Sequence, residues 1–230
     1  MKIIAVIPCL NEEHFISDVV VKTIKHVDKA IVVDDGSKDA TVRLAREAGA
    51  EVISHPSSRG AGGATRTGLE AALKYGADIV VTLDGDGQHD PSEIPLLLQP
   101  LLQDDADLVI GSRFIKHETN IPAYRKLGVD FITWMYNLGT NVKVTDSQSG
   151  FRAHSRKLLE SVAITHEDFS FSVEVLVKAR TKGFRIAEVP ISCLYHGQGS
   201  TSNPVSHGIS VVIAVVGIRL SNVLFGGKNK

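Results

Sequence analysis

Three carboxylates fall within seven positions in DGDGQHD, residues 84 to 90, directly after the apolar run IVVTL. Charge that dense at the end of a buried segment implies either a bound cation or a solvated turn. An EF-hand calcium loop counted from Asp84 needs glycine at position 6 and glutamate at position 12. The chain has His89 and Pro95 there. An Asp-x-Asp site, with few protein ligands and room for water and a substrate phosphate, suits magnesium or manganese instead. Gly85 and Gly87 would let the backbone turn round the ion. The competing reading is a surface turn in which Asp90 caps the next helix.

Other groups invite similar pairs of readings. In VVDDGSKDAT, Asp34 and Asp35 could act as acid and base, or accept hydrogen bonds from a nucleobase or ribose, and Asp39 reads as a helix cap. SSRGAGGATRTG has the glycines of a phosphate loop ahead of a helix N-terminus, yet it matches neither a Walker A nor a dinucleotide fingerprint. Arg59 and Arg66 serve a phosphate there or are solvated. Arg113, Arg125 and Arg152 stand on or beside loops, where a guanidinium fork fits phosphate or makes a surface pair. The nine histidines show no metal spacing, with His89 and His196 the two of interest.

These residues need a scaffold, and the hydrophobic pattern supplies one. IIAVIP, AIVVDD, EVISH, DIVVTLD and DLVIGSR read as strands. Between them lie helical patterns: one opened by Asn11, one capped by Ser37 or Asp39 and stopped by Gly49, one from about Ala64 to Tyr75, and one from Ser92. Strands apolar throughout and separated by helices imply a mostly parallel sheet covered on both faces. In such sheets ligands bind beyond the carboxyl ends of the strands, where Pro8 to Glu12, Asp34 to Ser37, Asp84 to Asp90 and Gly111 to Arg113 fall. The second half predicts a helix near 123–140, a polar loop VTDSQSGFR, a helix opened by Ser155, another in FSFSVEVLVKARTKG, and an edge strand in FRIAEVPISCLY because Pro190 cannot donate to a ladder.

At 230 residues, 43% apolar and with net charge −1, the chain reads as one globular domain with an ample core and no electrostatic case for nucleic acid. Cys9 and Cys193 lack disulfide or zinc spacing and read as packed thiols in a reducing cytoplasm. No signal peptide is expected, and the apolar run from Ile209 to Ile218 is too short to span a bilayer by itself.

The ordered set P-C-L-N-E, V-D-D-G-S-x-D-x-T, D-G-D-G-Q-H, G-S-R-F, D-S-Q-S-G-F-R and E-V-P-I resembles the inverting family-2 glycosyltransferases of GT-A fold. Within them the chain is most similar to the polyprenyl-phosphate (dolichyl-phosphate) hexose synthases, the dolichyl-phosphate mannose synthase type. The likeness covers about residues 1 to 200. It implies an α/β GT-A domain over 1–204 with a Rossmann-like, mostly parallel sheet and helices on both faces. It also implies transfer of a hexose from a nucleotide sugar to dolichyl or polyprenyl phosphate. Asp84, Asp86 and Gln88 match the residues that hold Mg2+ or Mn2+. Pro8, Asn11, Glu12 and Asp35 match the nucleotide pocket, and Arg113 and Arg125 match arginines that meet the acceptor phosphate. Ser149 and Arg152 line the same region by analogy. Catalysis would rest on Asp86, Arg113 and Arg125.

Larger relatives continue into C-terminal transmembrane helices. Here Ile209 to Phe225 could form an interfacial helix over 205–230, resting on the cytoplasmic face of a membrane, or pack on the domain or a second subunit. GDP-mannose, UDP-glucose and UDP-N-acetylglucosamine all fit as donors. Two other classes stay open. One is a family-2 transferase with a saccharide hydroxyl acceptor and Asp90 or Glu174 as base. The other is a nucleotidyltransferase or nucleotide-sugar binder.

Overall fold

The computed structural model describes residues 1–115, 123–138, 143–168 and 170–194. The segment 205–230, His196 and the side chain of Arg125 lie outside the described residues. The first half alternates strand and helix as its pattern predicts. It runs β1 (Ile3–Cys9), α1 (Ile16–Thr23), β2 (Lys29–Asp34), α2 (Thr41–Glu47), β3 (Glu51–Ser54), α3 (Gly60–Lys74), β4 (Ile79–Thr82), α4 (Ile94–Leu102) and β5 (Leu108–Ser112). Then follow α5 (Ala123–Asn137), β6 (Arg152–Ser155), α6 (Arg156–Ser161), α7 (Phe171–Thr181) and β7 (Ile186–Pro190).

The seven strands form one sheet in the order β3-β2-β1-β4-β6-β5-β7. Every pairing is parallel except those of β6, which runs antiparallel to both β4 and β5. Alternation along the strands divides the core in two. Ile4, Val6, Ile31, Val33, Val80, Leu108 and Ile110 face one way, into a cluster completed by α3, α5, α6 and α7. Ala5, Ile7, Val32, Val81, Val109 and Ala153 face the other way, against α1, α2 and α4. The result is an α/β/α sandwich with a GT-A-like sheet.

Several boundaries differ from the sequence pattern for identifiable reasons. Helix α1 begins at Ile16, not at Asn11, because Asn11 takes a left-handed backbone (φ 57°). Its side chain accepts from Lys38 N (2.9 Å) while its own N–H donates to Ser37 Oγ (2.8 Å). Helix α3 starts four residues before the expected Ala64, at Gly60. Strand β6 is new: Arg-Ala-His-Ser reads as the end of a polar loop, yet it lies inside the sheet between β4 and β5. Two expectations hold in detail. Ser155 Oγ caps α6 by accepting from Leu158 N (3.3 Å), and β7, with Pro190, is an edge strand.

Pro8 sits in a central strand without breaking it. Its carbonyl points towards β4, accepting from Gly85 N (3.3 Å), and β4 stops pairing at the level of Val6. The side of Pro8 that lacks an N–H therefore faces a position where no ladder bond is required.

Candidate active site

Loops at the carboxyl end of the parallel strands carry the chemistry. Asn11 and Glu12 follow β1, Asp35 follows β2, Asp84 and Asp86 follow β4, and Arg113 follows β5. Because β6 runs the opposite way, the loop that precedes it lands at this same end. Gly150 presses directly on Asp84: a Cβ there would lie 2.7 Å from Asp84 Oδ2, so only glycine admits the contact. Thr82 Oγ1 fixes the approach by donating to Gly150 O (2.8 Å). The DGDGQHD and SGFR motifs, more than sixty residues apart in the chain, are thus one surface.

Charge in this surface is unbalanced. Burial pushes the Asp84 carboxyl up, partly offset by the Arg113 and Arg152 guanidinium groups. Burial and then the Asp84 charge push Asp86 up. The half-buried Glu12 is raised to about 7 by burial, then by Asp86, Asp84 and Asp39. Asp86 accepts from Gln88 N (3.0 Å) and Gln88 Nε2 (2.7 Å), so Gln88 orients it. Behind Asp84, the buried His89 packs 5.3 Å from the Phe151 ring, with Nδ1 3.8 Å from Asp84 Oδ2 and no hydrogen-bond partner. Burial pulls its pKa down to about 4 and keeps it neutral. Carboxylates that oppose one another's ionisation fit a hard divalent cation with oxygen ligands. Among the described residues no group of three or more His, Cys, Asp or Glu is gathered so as to hold a metal ion by itself.

The sign of the linkage is testable. Glu12, Asp84 and Asp86 all have raised folded-state pKa values, so their protonated forms favour the fold. For Glu12 that contribution is full below about 4.5 and is lost as pH climbs through about 7. Metal-free protein should therefore lose stability across this window, and Mn2+ should raise the melting temperature more at pH 8 than at pH 5.5. Glu12→Gln should flatten the metal-free profile. Thermal melts at the two pH values, with and without Mn2+, check this; a larger shift at pH 5.5 contradicts it.

The remaining residues singled out from the sequence are placed as follows. Asp35 is buried. It accepts from His55 Nδ1 (2.8 Å), Ser58 Oγ (2.6 Å), Arg59 N (2.9 Å) and Gly60 N (2.9 Å), tying the β3–α3 connection to β2. Burial opposes its ionisation, but these donors together hold its pKa below the usual range. Arg113 pairs side-on with the fully buried Asp146, through Nε (2.7 Å) and Nη2 (2.9 Å). Ser149 Oγ accepts from Phe151 N (3.3 Å) inside the loop. Arg152 turns into the core and donates to three carbonyls, those of Ser147, Ser149 and Ser172.

The glycine-rich SSRGAGG stretch differs from its phosphate-loop look. The amides of Gly62 and Gly63 at the start of α3 donate to Glu167 O (2.9 and 3.2 Å). A Cβ on Gly62 would lie 2.5 Å from His166 O, so this glycine admits the 166–168 loop. Arg59 and Arg66 both reach the Glu167 carboxylate. Glu174 clamps the same loop from α7. It is 1% exposed and accepts from Thr165 N (3.0 Å), His166 N (3.0 Å) and Lys178 Nζ (2.6 Å), so it is not placed to act as a base. Asp90 caps the turn before α4 by accepting from Ser92 N (3.0 Å).

Sequence reasoning quoted Asp146 and Glu188 inside motifs without giving them work. Their signal was present as buried-type acids in otherwise apolar or small-residue stretches. The same reasoning predicted the helix α5 but gave no role to its outer face, which carries exposed Leu127, Phe131 and Trp134, with Leu138 just beyond. These recur at i, i+4, i+7 and i+11, one side of a helix, and the Phe131 and Trp134 rings stack at 6.0 Å. At the start of that helix Lys126 Nζ and Arg113 lie 5.1 and 5.6 Å from the Phe114 ring. No helix among the described residues is long and apolar enough to cross a membrane.

A GT-A-like sheet with paired aspartates after β4 and an arginine after β5 fits a glycosyltransferase. The chain belongs to glycosyl transferase family 2, whose model matches residues 4–168. It is 38% identical to the UDP-N-acetylglucosamine–dolichyl-phosphate N-acetylglucosaminyltransferase of Methanococcus voltae, over 90% of each chain. It is 31% identical to the undecaprenyl-phosphate mannosyltransferase of Micrococcus luteus, over 84% of this chain and 83% of that one. Among solved structures it is similar to glucosyl-3-phosphoglycerate synthase from Mycobacterium tuberculosis in complex with Mn2+, UDP and phosphoglyceric acid. That likeness has a TM-score of 0.72 and 27% identity over 94% of this chain and 78% of that one.

Proposed function

We propose that this enzyme transfers a hexose from a nucleoside-diphosphate sugar to a polyprenyl phosphate. The observation that carries the reading is the junction of Arg113 and Lys126 with the exposed apolar stripe of α5. Arg113 and Lys126, each paired with a carboxylate (Asp146 and Asp130), stand beside this apolar face, and guanidinium and ammonium donors next to an apolar surface match an acceptor that is itself an anion on a long hydrocarbon. The activities of the Methanococcus voltae and Micrococcus luteus relatives point the same way.

A phosphate monoester has a second pKa of about 6, so the acceptor is already an oxyanion at neutral pH. It needs alignment, not deprotonation, which agrees with Glu174 and Asp90 being engaged in the fold. Arg113, with Arg125, aligns the phosphate oxygen and offsets its repulsion from the donor diphosphate. That oxygen attacks the anomeric carbon, the bond from carbon to the diphosphate oxygen breaks, and the nucleoside diphosphate leaves with the electron pair. A single displacement inverts the anomeric centre. Asp84 and Asp86 hold the divalent cation, with Gln88 orienting Asp86, and when bound the cation supplies Lewis-acid neutralisation of the departing diphosphate. Glu12, Asn11, Pro8 and Asp35 border the donor side, and Ser149 and Arg152 shape the loop on the acceptor side. The outer face of α5 rests on the bilayer surface in which the acceptor is anchored, at the cytoplasmic side, with the 205–230 segment as a second contact.

The test offers UDP-N-acetylglucosamine, UDP-glucose and GDP-mannose with a short polyprenyl phosphate, the matching polyprenol, or a free saccharide, each with Mg2+ or Mn2+. Lipid-linked sugar is expected from the phosphate acceptor alone. Equal turnover on the polyprenol or the saccharide overturns the reading. In a parallel arm, Trp134→Ala/Phe131→Ser should release the protein from phosphatidylglycerol vesicles in a sedimentation assay without abolishing nucleoside-diphosphate binding.

A further inference from the structure

We propose that Asp146 and Glu188 are positioning residues for the transfer step, acting through Arg113 by fixing the plane and direction of its guanidinium. The inference rests on the reading of Arg113 as the arginine that meets the acceptor phosphate. A long arginine side chain just past the end of a strand loses considerable rotamer entropy when held in one orientation, so something must impose it. Asp146 does so from the side. It takes Nε and Nη2 together, and its Oδ2 also accepts from Arg113 N (3.2 Å). A fork gripped through these two nitrogens is fixed in its plane and cannot swing about Cδ–Nε.

Asp146 is in turn held by the edge strand next to β5. Glu188, on β7, accepts from Thr145 N (2.7 Å) and Asp146 N (3.0 Å) with its two oxygens. Glu188 pairs in register with Ile110 of β5, three residues before Arg113. The strand that carries the arginine and the strand that carries the anchor are therefore neighbours. Further ties surround the loop. Ser112 Oγ and Thr145 Oγ1 lie 2.6 Å apart, Asn137 of α5 bonds both N–H and C=O of Val144, and Thr133 Oγ1 meets Ser147 Oγ (2.9 Å). The frame is stiff and its output is one guanidinium held in a fixed direction by Asp146.

A purely structural reading explains this less well. A buried ion pair is a poor source of stability, and apolar residues of similar volume commonly replace one at little cost. This pair lies at the end of the sheet where the loops after β4 and β5 meet. Its orientation therefore bears on the acceptor phosphate.

The experiment is a double-mutant cycle on transfer kinetics with Asp146→Asn, Glu188→Gln and Arg113→Met, singly and combined. Nucleoside-diphosphate affinity and thermal unfolding are measured for each variant. Asp146→Asn should lower kcat/KM for the polyprenyl phosphate by about tenfold to a hundredfold, as expected for a misaligned reacting group. Nucleoside-diphosphate affinity should stay unchanged. In the Arg113→Met background the same change should cost less than about twofold, because its target is already gone. Should Asp146→Asn fail to fold, Glu188→Gln carries the same comparison, since glutamine retains one acceptor oxygen. If Arg113→Met is impaired but the second substitution costs the same factor in both backgrounds, or is silent in both, the positioning inference is overturned and the acceptor reading stands. If Arg113→Met itself turns over like the wild type, the acceptor reading falls and takes the inference with it.

Discussion

Asp86→Asn lowers kcat/KM for sugar transfer by about a thousandfold while leaving the fold intact. The carboxylate is asked to hold the charge that neutralises a departing diphosphate, a contribution of several kcal/mol. At about 1.4 kcal/mol per factor of ten in rate, that is roughly three decades. The fold is insulated from the change. Asp86 accepts from Gln88 N and Gln88 Nε2, both within its own loop, and asparagine keeps one oxygen in place for the backbone donor. Removing one of the mutually repelling charges of Glu12, Asp84 and Asp86 relieves strain, so the metal-free variant should melt no lower than the wild type. Steady-state kinetics with Mn2+, together with melts of the metal-free proteins, test both halves. Near-wild-type turnover would falsify the assignment of Asp86. A large loss of stability would show that the carboxylate serves the fold instead.

Arg152→Ala should cost about 3–5 kcal/mol of stability, the range for removing one partner from a buried charged network. Its guanidinium is 2% exposed and donates at 2.7–2.8 Å to the carbonyls of Ser147, Ser149 and Ser172. Burial lowers its pKa to about 10, which leaves it charged at neutral pH, balanced chiefly by Asp146. Truncation strands three carbonyls in a site closed to water and leaves a void behind them. For a chain of this size the melting temperature should fall by about 10 °C or more. Activity should fall with it, because two of the carbonyls, those of Ser147 and Ser149, belong to the loop that carries Asp146 and Gly150. Arg152→Lys should recover little, since an ammonium on a flexible stem cannot meet three fixed directions at once. A loss under about 1 kcal/mol in urea melts contradicts this account.

Much of the scaffold was legible before any coordinates. Apolar runs ended by aspartates marked β2 and β4, a run ended by Pro8 marked β1, and together they placed their loops at one end of a parallel sheet. Ser155 marked a helix start, and Pro190 marked an edge. Strand β6 was hidden because Arg-Ala-His-Ser has none of the β-branched content that marks buried strands. Its burial comes from β4 and β5 on either side. Asn11 opened no helix because its backbone is left-handed and its amide group is tied to the α2 side, a long-range contact that caps and propensities do not foresee.

The sequence by itself determined the family, the class of sheet and the chemistry on offer: paired aspartates, arginine forks, and glycines where chains must touch. Those follow from residue type and motif order, which are local properties. Only the tertiary structure decided which polar groups are engaged by the fold and which face the reaction. Asp35, Ser149, Arg152 and Glu174 each have the chemistry of a ligand-binding residue, yet here each is bonded to a protein partner that holds a loop. Glu12, Asp84 and Asp86 instead have carboxyls that burial pushes up, only partly offset at Asp84 by Arg113 and Arg152. The physical reason is that a polar side chain bonds to whatever reaches it first, a carbonyl sixty residues away or a substrate. That distance is set by how the strands are ordered, and above all by the reversed β6 that brings SGFR against DGDGQHD.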